Sequence, residues 1–192
     1  RETDLLNPIN MIQKVHAVVL SGGSAFGLES TCGVSKYLEE NNIGFDVGVA
    51  KVPIVVGAVL FDLGVGNPKS RPNIEMGYRA CQVASDTKLN QGNFGAGCGA
   101  TVGKIKGIEY AMKGGIGSHS IKLPNGLVVS ALVAVNAFGD VYENGKVIAG
   151  VMDDEKKNVL NSYELMKNGV NKGGFSIDNT TIGIVATNAK LD

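Results

Sequence analysis

Apolar and polar positions along the chain alternate between strand-length and helix-length segments. Val15 to Leu20 (VHAVVL) is a short apolar run that predicts a buried strand, and the Gly-rich turn SGGSAFG follows it. From about Leu28 to Glu40, Leu28, Val34 and Leu38 fall on one side of a predicted helix. Phe45 to Val49 predicts a second strand. The apolar run VPIVVGAVLFDLGVG (52–66) is broken by glycine and fits either element type. Ile74 to Ser85 predicts a helix, with Pro72 and Asn73 at its start.

The second half carries turn signals. LPNGLVV and VYENGKVIAG place Asn125-Gly126 and Asn144-Gly145 between extended runs, and Asn-Gly supplies the positive φ angles of tight hairpin turns. Together they predict a three-stranded antiparallel meander from about Ser120 to Val151. DDEKKNVLNSYELMKNG (153–169) predicts a helix capped by Asp153 or Asp154 and followed by Gly169. A polar loop (168–174) then leads to an apolar strand that begins at the threonine pair of NTTIGIVATNA (179–189).

Composition adds one outlier. Glycine accounts for 27 of 192 residues, about twice the usual ~7%, while proline accounts for only 5. Six of those glycines lie in QGNFGAGCGATVGKIKG (91–107), at 92, 95, 97, 99, 103 and 107. A flexible linker is one reading of that segment. Because its other residues are mostly small, a rigid loop packed close to a site is the other.

Charge balances, with 18 basic and 18 acidic residues, so nothing calls for nucleic acid or an anionic membrane surface as partner. The three cysteines, Cys32, Cys81 and Cys98, form no disulfide framework and no zinc spacing, which points to a reducing, cytoplasmic setting. No signal peptide or membrane span is visible. One domain of ordinary globular composition, 44% hydrophobic and 19% charged, is expected.

Single motifs say little alone. LSGGSAFG lies between a strand and a helix but matches neither GxGxxG nor GxxxxGK[ST], so a turn that brings backbone N–H groups near a site is preferred to a nucleotide cradle. His16 and His119 read as structural, and Cys98 as packing. No metal or cofactor is implied. Asn179-Thr180-Thr181 fits the glycosylation pattern, although the reducing setting weakens that reading, and from these residues alone the simple start of a strand is preferred.

Six stretches together carry more. RETDLLNP, KVHAVVLSGGSAFGLES, VPIVVGAVLFDLGVG, GNFGAGCGATVGK, ALVAVNAFGD and NTTIGIVATNA occur in order over nearly the whole chain. In these the chain resembles the self-processing N-terminal-nucleophile aminopeptidases of the β-peptidyl aminopeptidase and D-aminopeptidase (DmpA) family, which includes the 6-aminohexanoate-oligomer hydrolases. The resemblance implies an α/β fold, a four-layer α/β/β/α sandwich, of which this chain is an incomplete part. It implies cleavage of the Asn179–Thr180 bond, with Thr180 as the new N-terminal nucleophile.

A threonine hydroxyl is weak at neutral pH, and the α-amine of the same residue can act as its base. By the same resemblance Asn136 helps hold the oxyanion, and Lys104 matches a lysine of the nylon-hydrolase site, with an ordinary surface charge as its alternative. Some family members carry a tyrosine where Phe61 stands, and Phe61 has no hydroxyl to donate. Residues 1–192 are expected to form a single domain truncated at both ends, 1–179 being the larger N-terminal chain after cleavage and 180–192 the start of the smaller one.

The expected substrates are small peptides or amides, and the expected partners are the protein's own C-terminal fragment and further copies in a homo-oligomer. Two other readings stand beside hydrolysis: acyl transfer of the ornithine-acetyltransferase type, and an unprocessed, non-catalytic scaffold.

Overall fold

The computed structural model describes residues 1–87, 89–170 and 179–190. Its architecture is mixed α/β, with one parallel strand pair, one three-stranded antiparallel sheet and several short ribbons.

The parallel pair is β1 (Ala17–Ser21) and β4 (Val55–Val59), in register from Ala17 opposite Val55 to Ser21 opposite Val59. Between them the chain crosses over through a 3-10 turn, Ser24–Glu29, and helix α1 (Ser30–Glu40). A two-residue ribbon of β2 (Phe45–Asp46) and β3 (Lys51–Val52) completes the crossover. The expected strand at 45–49 is thus reduced to two residues, because Gly48 adopts a positive φ and turns the chain back.

The ambiguous run at 52–66 contains a true strand, β4, buried because it lies under α1. Helix α2 (Ile74–Gln82) ends three residues earlier than expected and is capped by Asn73, whose Oδ1 accepts the Met76 N–H at 2.9 Å. Helices α1 and α2 cross at two glycines. A Cβ on Gly33 would collide with the Ile74 carbonyl, and one on Gly77 with the Ser30 carbonyl. Val34, Leu38 and Val55 form the core beneath this crossing.

The Gly-rich segment is a packed loop, not a linker. Ala96, Gly97, Ala100, Val102, Lys104 and Ile105 are all buried, and Thr101–Val102 (β5) pairs with Met112–Lys113 (β6). Ala96 and Ala100 form a second core with Leu60 and Ala134. A Cβ on Gly97 would strike the backbone of Gly115 and Ile116, so the loop lies directly on the sheet.

That sheet runs in the order β11–β8–β7, from Thr180–Thr187, Val128–Asn136 and Gly115–Lys122. The Asn125-Gly126 hairpin forms, with Gly126 at φ 85°, but Asn125 lacks the positive φ expected of it because three residues, 124–126, make the turn. The expected meander does not. The far edge of β8 is taken by β11, and β9 (Val141–Glu143) and β10 (Lys146–Ala149) form a separate ribbon at the Asn144-Gly145 turn. The chain leaves the sheet after Asn136, where Phe138 and Gly139 pair with the backbone of Lys104 and Gly103 instead.

The helix expected from 153 also shortens, to α3 (Ser162–Lys167). Asp153 does not cap it. Asp153 instead closes a turn, accepting from the Lys157 N–H and the Asn158 amide, which hold its carboxyl below the usual range. Asn161 caps α3, and Asp140 grips Ser162 through both its N–H and its hydroxyl, at 2.6 and 2.5 Å. Residues 171–174 of the expected polar loop lie outside the described residues. Among the described residues, no helix is long and apolar enough to cross a membrane.

Candidate active site

Three elements meet at the head of β11. Thr180 is its first residue and stands opposite Asn136, the last residue of β8. The segment just beyond β4 runs past both. The Phe61 N–H donates to Thr180 Oγ1 at 3.1 Å, and the Phe61 carbonyl accepts from Asn136 Nδ2 at 2.7 Å. One peptide unit on either side of Phe61 therefore links the hydroxyl to the amide.

Asn136 is only 1% exposed, and Lys104 is 4% exposed. Lys104 Nζ donates to Asn136 Oδ1 at 2.8 Å and to the Asn136 carbonyl at 3.1 Å. The Thr101 N–H and hydroxyl reach the same Oδ1, at 3.0 and 3.3 Å. The surface-charge alternative for Lys104 fails, because the Gly-rich loop carries this side chain inward. A buried ammonium needs strong acceptors, and Asn136 supplies two of them.

The structure thus brings Thr180, Asn136 and Lys104 into one cluster, with Asn179 half-buried beside it. Thr101 and the Phe61 backbone are members that the sequence did not single out. Attention there fell on the missing phenolic hydroxyl of Phe61, whereas its contribution is made by main-chain groups that any residue except proline at that position would carry.

Asp62 follows immediately. Its Oδ1 accepts the Gly23 N–H at 2.6 Å, so the turn after β1 does present an N–H, to this carboxylate. Its side chain lies over Gly22 and Gly99, where a Cβ on either glycine would collide with it. Asp62 also lines a cavity of about 370 Å³, together with Gly23, Arg71, Cys98 and Gly99.

Of the remaining candidates, His16 is structural, its Nδ1 accepting the Ile54 N–H at 3.1 Å. His119 is exposed on β7. Cys98 is also exposed, so the packing role expected of it does not hold; the tight turns of the loop direct it outward. Among the described residues no group of three His, Cys, Asp or Glu could hold a metal ion.

Comparison with known proteins places this arrangement in context. The model of peptidase family S58 matches residues 1–192. An uncharacterized aminopeptidase of Mycobacterium leprae is 43% identical over 201 residues, covering 100% of this chain and 54% of the relative. One from Mycobacterium tuberculosis H37Rv is 38% identical over 198 residues, covering 100% of this chain and 55% of the relative. A 6-aminohexanoate-oligomer endohydrolase of Kocuria sp. is 27% identical, covering 92% of this chain and 50% of the relative. The chain spans about half the length of the curated relatives it matches. A solved structure from Pyrococcus horikoshii OT3 aligns with a TM-score of 0.50 at 23% identity, over 85% of this chain and 39% of the other, a likeness of fold.

Proposed function

The chain belongs to peptidase family S58, and on that premise we propose that the whole protein is a self-processing hydrolase of peptide or amide bonds with Thr180 as its nucleophile. The observation that carries the reading is the Thr180 hydroxyl, held by the Phe61 N–H at the start of a strand and beside the buried Asn136–Lys104 pair.

In self-cleavage the Thr180 Oγ attacks the Asn179 carbonyl carbon. The carbonyl oxygen becomes an oxyanion and then re-forms the carbonyl as the C–N bond breaks, and the Thr180 nitrogen leaves as an amine, taking up the proton that the hydroxyl gave up. Asn179 is then an ester on Thr180 Oγ, which water splits into an Asn179 carboxylate and a free N-terminal threonine. In turnover that α-amine takes the hydroxyl proton and Oγ attacks the substrate carbonyl. The amine portion of the substrate leaves with a proton, and water releases the acyl group. The Lys104 cation favours the neutral form of the α-amine, the form that acts as base.

Asn136 is assigned to the oxyanion. Its amide nitrogen, which donates to the Phe61 carbonyl, is the donor edge that this role would use. On the same premise the chain supplies part of a four-layer α/β/β/α sandwich, with residues 1–179 as the larger chain and residue 180 beginning the smaller.

Mass spectrometry of the full-length protein tests this directly. A fragment beginning at Thr180 is expected. Thr180→Ala abolishes it, Thr180→Ser keeps part of it, and Thr181→Ala leaves it intact. Persistence of one uncut chain, or loss of cleavage only in Thr181→Ala, overturns the assignment.

A further inference from the structure

The cavity beside Asp62 holds two charges of opposite sign that do not neutralise each other. Its volume, about 370 Å³, lies within the range of small-ligand sites. Asp62 lies on one part of its wall and Arg71 on another, with Gly22, Gly23 and Gly99 supplying backbone between them. Among the described residues neither side chain has an ion-pair partner. Asp62 accepts only the Gly23 N–H, and the Arg71 guanidinium lies 3.9 Å above the Phe26 ring.

Two half-buried residues of opposite charge that line one cavity, neither in an ion pair among the described residues, favour an occupant that brings both charges. Asp62 also lines a second small cavity with Phe61, Thr101 and Lys104. Asp62 is thus joined to the Thr180 cluster, being the residue after Phe61, whose N–H holds the Thr180 hydroxyl.

Resting on the hydrolase reading above, we propose that this cavity recognises a short peptide with both termini free. Asp62 takes the ammonium, and Arg71 takes the carboxylate. The ammonium anchor is the residue after Phe61, whose N–H holds the Thr180 hydroxyl, so the N-terminal end of the peptide is the end bound on the side of that hydroxyl. The Arg71 anchor limits the length of chain that fits. Asp62 and Arg71 are thus determinants of specificity, acting on binding more than on the chemical step.

Steady-state kinetics of the full-length protein test the site with alanyl-alanine, its C-terminal amide and its N-acetyl form. Removing either charge from the dipeptide raises KM by about tenfold or more, the worth of one charge-assisted contact. In Arg71→Met the acid and the amide become equivalent while the N-acetyl penalty remains, and Arg71→Lys restores part of the preference for the acid. In Asp62→Asn the preference for the free amine falls.

Equal KM for all three compounds, or an undiminished preference for the acid in Arg71→Met, overturns the proposal even where a fragment beginning at Thr180 forms. If that fragment and all hydrolysis are absent, the hydrolase reading fails. Calorimetric titration of the same protein with the dipeptide and its amide then decides the cavity alone: tighter binding of the acid, lost in Arg71→Met, supports it, and equal or no binding overturns it.

Discussion

Asn136 has every edge of its amide engaged: the oxygen receives Lys104 and Thr101, and the nitrogen holds Phe61. Its removal leaves a buried ammonium short of an acceptor and releases the peptide that holds Thr180. Asn136→Ala is expected to cost about 3 kcal/mol in urea denaturation and to slow self-cleavage severely. Phe61→Tyr makes the opposite test. The hydroxyl is held by the Phe61 main chain, so the added phenol leaves the cleavage rate within about threefold, measured as fragment appearance after synthesis. A much larger change would move the role from the backbone to the side chain. Such main-chain roles have no letter in a sequence, which is why Phe61 was weighed only by its ring. Lys104 shows the same gap from another side: its lettering fits a surface cation or a site cation alike, and only the inward course of the Gly-rich loop separates them.

At the scale of elements, glycines divide into two kinds. Gly126 needs its positive φ but faces open space, so Gly126→Ala costs about 1 kcal/mol from backbone strain alone. Gly97 has no such φ constraint, yet a Cβ there meets the backbone of β7, which cannot yield as a flexible side chain would. Gly97→Ala is expected to cost about 3 kcal/mol or more, read as a lower urea midpoint, and to disturb the site as the loop lifts. The hairpin turns, α1 and the start of α2 were legible because each depends on local chemistry: Asn-Gly pairs, apolar spacing and a capping Asn73. The neighbour of β8 was not legible. Hairpin signals state which strands are joined, and whether β9 or β11 takes the free edge of β8 depends on contacts far apart in the chain. The overlong helix at 153–169 failed for a related reason, since Asp153 serves equally well as a cap or as the anchor of a turn.

Over the whole molecule, apolar side chains remain uncovered. Val49 is 95% exposed and Val185 72%, and the outer edge of β11 has no partner strand among the described residues. Unpaired edges and apolar patches promote association. Residues 1–192 are therefore expected to elute above the 20.0 kDa monomer in size-exclusion chromatography and to bind a hydrophobic dye. A sharp monomer peak without dye binding would contradict this. The order of the family motifs pointed to the cluster at Thr180 before any geometry was known. The charged cavity next to it has no such signal, since Asp62 lies in an ambiguous apolar run and no motif includes Arg71.

The far end of β11 bears on the chemistry at its head. Asn188 accepts the Val128 N–H at 2.8 Å and donates to the Gly126 carbonyl at 3.1 Å, and the Thr187 hydroxyl donates to the Val128 carbonyl at 2.8 Å. These bonds phase the strand against its neighbour, and the ladder transmits that phase unchanged over about 24 Å to Thr180. Thr180 and Thr181 are identical in chemistry and adjacent in the chain, and only pleat parity separates them: a slip of one residue would present the other hydroxyl. The ladder is thus a ruler with its zero mark at Asn188, and it selects one of two equal hydroxyls from the opposite end of the sheet.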